Sequence, residues 1–138
     1  MTNREWVIDT NVLISAALSS QGVPATLVRF ALSQRVLVFS PPTFEELRER
    51  LYRPKFDPYL TLERRQRILH DVNASARWVD IGEPAVYCRD REDDKFFETA
   101  LVAKVSVLIT GDKDLLDAPR REDLQVLTPL QAVTLFGV

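Results

Sequence analysis

Asp9, the pairs Glu45-Glu46 and Asp93-Asp94, and Asp112 with Asp114 are the residues whose types and spacing could do chemistry in this chain. Asp9 closes the apolar run Trp6-Val7-Ile8 and is followed by Thr10-Asn11. Asp112 and Asp114 follow a second apolar run, Val105 to Ile109, across Thr110-Gly111. Between them stand Glu45-Glu46 at a helix-start signature and Asp93-Asp94 just before Lys95-Phe96-Phe97. Carboxylates that converge in a fold repel one another unless a cation compensates them. A hard, oxygen-seeking ion such as Mg²⁺ or Mn²⁺ is the natural compensator, and such a centre can activate water against a phosphodiester.

Each acid also has a purely structural role open to it. Asp9 can cap the helix that follows, although an aspartate closing an N-terminal strand before Thr-Asn is more specific than a chance cap. Asn11 is a second candidate for that cap, and Thr10 and Asn11 otherwise read as hydrogen-bonding support for the loop. Thr43-Phe44-Glu45-Glu46 has the form of a capping box, with Glu46 reaching back to the Thr43 N–H. On local sequence alone that role is the better one for Glu46. Helical spacing does not separate Glu45 from Glu46, because both flank the stripe Phe44, Leu47 and Leu51. Asp93 and Asp94 open a helix, where the macrodipole favours negative charge, yet the run Asp90, Glu92, Asp93, Asp94 is denser than capping needs. Asp112 and Asp114 fit a turn and first helical turn as well as they fit metal ligation or its surroundings.

The elements that must position these acids alternate along the chain. Short strands are expected at Trp6–Ile8, Arg35–Phe39, Trp78–Ile81, Val105–Ile109 and Leu124–Leu127. Helices are expected over Val12–Leu18, Ala25–Ser33, Thr43–Tyr52, Thr61–Ala76 and Asp94–Lys104, with a last one opening after Thr128-Pro129. Strands separated by helical stretches argue for βαβ crossovers and a mainly parallel sheet. Ligands of such sheets bind beyond the carboxyl ends of the strands. Asp9 and Asp112 both fall there, which is the physical reason to group them.

A chain of 138 residues with 46% hydrophobic composition can bury a core without staples, and no linker divides it, so one domain over 1–138 is expected. Cys88 is the single cysteine, the N-terminus lacks the signature of a signal peptide, and no apolar run approaches a membrane span. A cytoplasmic protein with no membrane partner is the expectation. The formal net charge of −2 counts against broad, non-specific nucleic-acid binding. A basic rim is nonetheless on offer in Arg48, Arg50, Arg53, Lys55, Arg64, Arg65 and Arg67, unless these are solvated helix faces paired with nearby glutamates. Arg48 and Arg53, with Lys95 and Lys113 beside the acids, are candidates to hold substrate phosphates. Other chemistries fare worse. Neither a GxGxxG nor a GxxxxGK[ST] loop occurs, His70 is the only histidine, Cys88 has no histidine near it in sequence, and Asn11 stands where an aspartyl-phosphate phosphatase needs its second aspartate.

Taken as an ordered set, the motifs resemble the PIN domain family. The residues that carry the likeness are Val7-Ile8-Asp9-Thr10-Asn11-Val12-Leu13-Ile14-Ser15, Glu46-Leu47 before Arg53-Pro54-Lys55-Phe56, Cys88-Arg89-Asp90 leading to Asp94-Lys95-Phe96, and Thr110-Gly111-Asp112-Lys113-Asp114-Leu115-Leu116. They look most like its prokaryotic branch of toxins from toxin–antitoxin systems (VapC-like). The resemblance implies a three-layer α/β/α sandwich with a central, mainly parallel sheet. It implies an Mg²⁺- or Mn²⁺-dependent ribonuclease, with RNA as substrate, a small antitoxin protein as partner, and often a homodimer. The family's acids fall on Asp9, Glu46, Asp94 rather than Asp93, and Asp112. Asp9, Asp94 and Asp112 are the implied metal ligands, Asp114 is an additional ligand or neighbour, Thr110 matches a supporting hydroxyl, and Glu46 would orient water or a second ion. This overturns the capping-only reading of Glu46. The alternative function is a non-catalytic RNA- or protein-binding module of the same fold.

Overall fold

The protein was analysed as a computed structural model, which describes residues 4–82, 94–118 and 123–138. The expectations placed on Cys88, Arg89, Asp90, Glu92 and Asp93 lie outside those residues. Five short strands alternate with helices: β1 Trp6–Ile8, β2 Val38–Phe39, β3 Arg77–Trp78, β4 Val107–Ile109 and β5 Gln125–Leu127. β1 pairs parallel with β4, and β4 parallel with β5, so that Val7 lies opposite Leu108 and Leu108 opposite Val126. β2 pairs parallel with β3, and a parallel bridge from Trp6 to Leu37 sets that pair beside β1. Read across, the order is β3-β2-β1-β4-β5. The chain builds outward from β1 in one direction and then returns to build in the other, so the reversal point lies between β1 and β4. In an open parallel sheet that is where the crevice forms.

Side-chain alternation along the strands decides the layers. Trp6, Ile8, Leu37, Phe39, Val107 and Ile109 point to one face and join Leu13 and Ile14 of α1 (Thr10–Leu18), Leu27 and Ala31 of α2 (Val23–Gln34), and Leu47 and Leu51 of α3 (Pro41–Leu51). Val72 of α4 (Leu62–Ser75) and Ala132 of α7 (Pro129–Phe136) complete that cluster. Val7, Val38 and Leu108 point the other way, into Phe96, Phe97 and Ala100 of α5 (Asp94–Ala103) and Leu115 of α6 (Lys113–Leu116). Two apolar clusters on opposite faces of one sheet make the expected three-layer α/β/α sandwich. Among the described residues no single helix is long and apolar enough to cross a membrane.

Three differences from the sequence expectation bear on the site. α1 begins at Thr10 rather than Val12 because Asp9, not Asn11, is its N-cap and accepts from the Asn11 N–H at 3.3 Å. α3 begins at Pro41 rather than Thr43, since prolines are tolerated in a first turn where their missing N–H is not needed. Ser40 is therefore the cap, and the hydroxyl that reaches back to its N–H is that of Thr43, at 3.0 Å. Glu46 lies a turn further in and has no capping duty. β1 has its expected bounds, but β2 is shorter than expected: Arg35 sits in the left-handed region (φ 54°) as the end of α2 instead of opening the strand.

Candidate active site

The carboxyl ends of β1 and β4 are joined side by side. The Asp9 N–H donates to Ile109 O at 2.9 Å, so the residues that follow the two strands face each other. Thr110, fully buried, donates its hydroxyl to Asp9 Oδ2 at 2.8 Å and accepts the Asp112 N–H at 2.9 Å. One hydroxyl thus fixes the spacing between the first and last acids of the sequence pattern. Asp112 caps α6 and accepts the Asp114 N–H at 2.8 Å. Asp9 and Asp112 do cap helices, and this coexists with their clustering because an N-cap carboxylate spends only part of its acceptor capacity on the helix.

Replacing Thr110 by valine keeps the shape and removes both bonds. A cost of about 1–3 kcal/mol in urea unfolding is expected for the stranded polar groups, with about a 10- to 100-fold loss in any activity that depends on the placement of Asp9 and Asp112.

Electrostatics mark the same spot. Burial pushes the Asp9 carboxyl above the usual carboxylate range. The bonds from Thr110 and the Asn11 N–H pull it down, and the charges of Glu46 and Asp112 push it up again. Asp9 is 2% exposed, so its ionised form is held in a poorly solvated place beside two other acids. Hard oxygen donors under mutual repulsion fit a divalent cation in type and charge. Among the described residues no three His, Cys, Asp or Glu side chains stand as a ligand set for a metal ion.

Of the Glu45-Glu46 pair, Glu46 is the one that turns inward. Its side chain is 9% exposed, against 65% for Glu45. Thr10, buried on the inner side of α1, donates to its Oε2 at 2.5 Å. Lys95 approaches its Oε1 at 2.7 Å and Arg50 at 3.3 Å. Asn11, on the exposed side of α1, accepts from Arg50 Nη1 at 2.8 Å. Asp94 is buried as the first residue of α5, and the reach of its neighbour Lys95 to Glu46 puts the start of that helix at the site. Lys113 is exposed in the first turn of α6. Arg48 and Arg53 run along the outer face of α3 to Glu45 and Glu49.

Arg50 is the member that the sequence reading left among the rim arginines without a site role. Its signal was present in the i,i+4 spacing to Glu46, although that spacing is shared by the Glu49–Arg53 pair on the outer face. The buried Ser40–Thr99 hydroxyl pair, 2.8 Å apart, ties the start of α3 to α5. Neither hydroxyl carries a mark in the sequence.

The PIN domain family model matches residues 5–114, a span that holds every acid placed above. The chain belongs to the PIN domain family. Members of this family are typically nucleases, hydrolases that use divalent metal ions. The uncharacterized protein MJ1680 of Methanocaldococcus jannaschii is similar to this PIN domain, 35% identical over 114 residues, which are 80% of this chain and 72% of that protein. Among solved structures, PAE2754 from Pyrobaculum aerophilum is similar with a TM-score of 0.63 over 96% of this chain and 89% of its own. At 15% identity that likeness bears on the fold alone.

Proposed function

We propose that this PIN domain is a metal-dependent endoribonuclease that hydrolyses RNA phosphodiester bonds with Mg²⁺ or Mn²⁺. The observation that supports it most is the Asp9–Thr110–Asp112 arrangement at the reversal point of the sheet, where one hydroxyl holds two acids in register. In this reading Asp9, Asp94 and Asp112 supply the hard oxygen donors, with Asp114 as a further donor. A divalent cation held there would supply a bound water of lowered pKa and a positive charge for the phosphoryl oxygens. Thr110 keeps Asp9 and Asp112 at their spacing, and Thr10 fixes the orientation of Glu46. Water attacks phosphorus in line with the departing 3′ oxygen, which leaves with a proton, giving a 3′-hydroxyl and a 5′-phosphate.

A shallow depression of about 260 Å³ beside Asp112, lined by Asn11, Val12, Ser15, Pro24, Gly111 and Pro129, favours a single strand whose flanking nucleotide can be turned aside from its neighbours. The family resemblance extends the proposal to the toxin half of a toxin–antitoxin pair, with a small protein partner and a homodimer.

Chelation is the first test. Cleavage of an unstructured RNA is expected to stop in EDTA and to return when Mn²⁺ is restored, and a duplex of the same sequence is expected to be cut more slowly. Cleavage that persists in EDTA refutes the metal-dependent reading.

A further inference from the structure

Glu46 is surrounded by donors from three helices, and its acceptor capacity is nearly used. A carboxylate offers about four acceptor positions. Thr10 takes one on Oε2, while Lys95 at 2.7 Å and Arg50 at 3.3 Å share Oε1. Freeing this carboxylate for an ion would leave the Lys95 ammonium, whose side chain is 19% exposed, without its counter-charge. Removing one partner of a buried pair is strongly destabilising.

The two cations, by contrast, have capacity to spare. An ammonium has three donors and a guanidinium five. Arg50 spends one arm on Asn11 and one on Glu46, and its Nε is a buried donor without an acceptor among the described residues. Both cations flank the acids. Lys95 follows Asp94 at the start of α5, and Arg50 grips Asn11, whose N–H meets Asp9. One carboxylate shared by two cations leaves that trio with one positive charge over, set against the acids beside it, where an anionic substrate would need it.

We propose that Glu46 is a positioning residue that holds Lys95 and Arg50 for the substrate phosphate, and is not a ligand of the metal. The assignment rests on the nuclease reading for its substrate class. It is tested by RNA binding in EDTA, where cleavage plays no part.

Binding of a single-stranded RNA oligonucleotide is measured by fluorescence anisotropy across a salt series. The proteins are the wild type, Lys95→Met, and the double variant Glu46→Gln/Lys95→Met, which leaves the net charge unchanged, removes the Lys95–Glu46 pair as a whole and leaves Arg50 its bond to Asn11. Lys95→Met is expected to bind about tenfold more weakly, within the range of one lost charge-assisted contact. The double variant is expected to keep that defect, with the slope of log K against log salt lowered by about 0.7, as one lost phosphate contact on a single strand requires. In parallel, calorimetric Mn²⁺ titration of Glu46→Gln should give an affinity within about twofold of wild type, since losing even a group that only supports a ligand costs about 10- to 100-fold, and losing a ligand at least as much.

Wild-type binding restored in the double variant would show that Lys95 only neutralises Glu46, and would overturn the proposal. So would failure of the wild type to bind RNA in EDTA, or a tenfold or greater loss of Mn²⁺ affinity in Glu46→Gln. Wild-type protein that binds RNA but never cleaves it would refute the nuclease reading and leave the phosphate contacts standing.

Discussion

Asp9→Asn is expected to abolish RNA cleavage and, in the same protein, to raise the melting temperature measured in EDTA. The loss of activity should reach about a thousandfold, the consequence of removing about 4 kcal/mol of transition-state stabilisation. Asparagine has a single oxygen, which can take either the Thr110 hydroxyl at 2.8 Å or the longer 3.3 Å bond from the Asn11 N–H, so the fold gives up one weak bond at most. The gain in stability follows from burial, which holds the Asp9 carboxyl above its usual range with further repulsion from Glu46 and Asp112. Between the unfolded and the raised folded value, the folded state binds a proton that the unfolded state releases, so stability falls as pH rises through that window. At neutral pH the wild type still carries the cost of a buried, crowded charge, and the amide does not. Thermal melts between pH 4 and 7 in EDTA should therefore show a shallower decline for Asp9→Asn than for wild type. Added Mn²⁺ should raise the melting temperature of the wild type alone, because only a ligand of the folded state stabilises it.

The largest loss of stability is expected from Trp6→Ala. Trp6 is 1% exposed and stacks on Phe30 at 5.6 Å and Phe136 at 5.2 Å between ring centroids. It also bridges to Leu37, the contact that sets β2 beside β1. Emptying that volume should cost about 3–5 kcal/mol, a large share of the roughly 5–15 kcal/mol that a domain possesses. The indole Nε1 is a buried donor with no partner among the described residues, so Trp6→Phe sacrifices no hydrogen bond and should cost far less. Urea unfolding followed by circular dichroism separates the two variants, and equal midpoints for alanine and phenylalanine would mean that ring packing does not hold β1. Because β1 carries Asp9 at its end, Trp6→Ala should lose activity in step with folded fraction, whereas Asp9→Asn loses it while fully folded.

Much of this site was legible before any coordinates. Asp9 and Asp112 could be paired because a parallel sheet collects its strand ends on one edge, and the strand signals were strong at Trp6–Ile8 and Val105–Ile109. The parallel sheet followed from the alternation of strands and helices, and the three layers from the resemblance to the family. What the sequence misassigned, it misassigned for physical reasons. Thr43 to Glu46 has the spacing of a capping box, but Pro41-Pro42 allow the helix to start earlier, so Ser40 and Thr43 take the cap and Glu46 turns inward to Thr10. Arg50 and Arg53 have the same spacing to a preceding glutamate. Only the rotation of α3 against α1 separates the arginine that reaches Asn11 from the one that faces water. Arg35 has the neighbours of a strand residue, yet the closing turn of α2 takes it into the left-handed region.

The most direct measurement is single-turnover cleavage of an unstructured RNA in Mn²⁺ by wild type, Asp9→Asn and Asp112→Asn, with product ends mapped. Wild type should cut to leave 5′-phosphates, and both variants, folded and at equal concentration, should leave the RNA intact over the same time. Equal cleavage by all three, or no cleavage by wild type in either Mn²⁺ or Mg²⁺, would contradict a metal-dependent nuclease centred on these two acids.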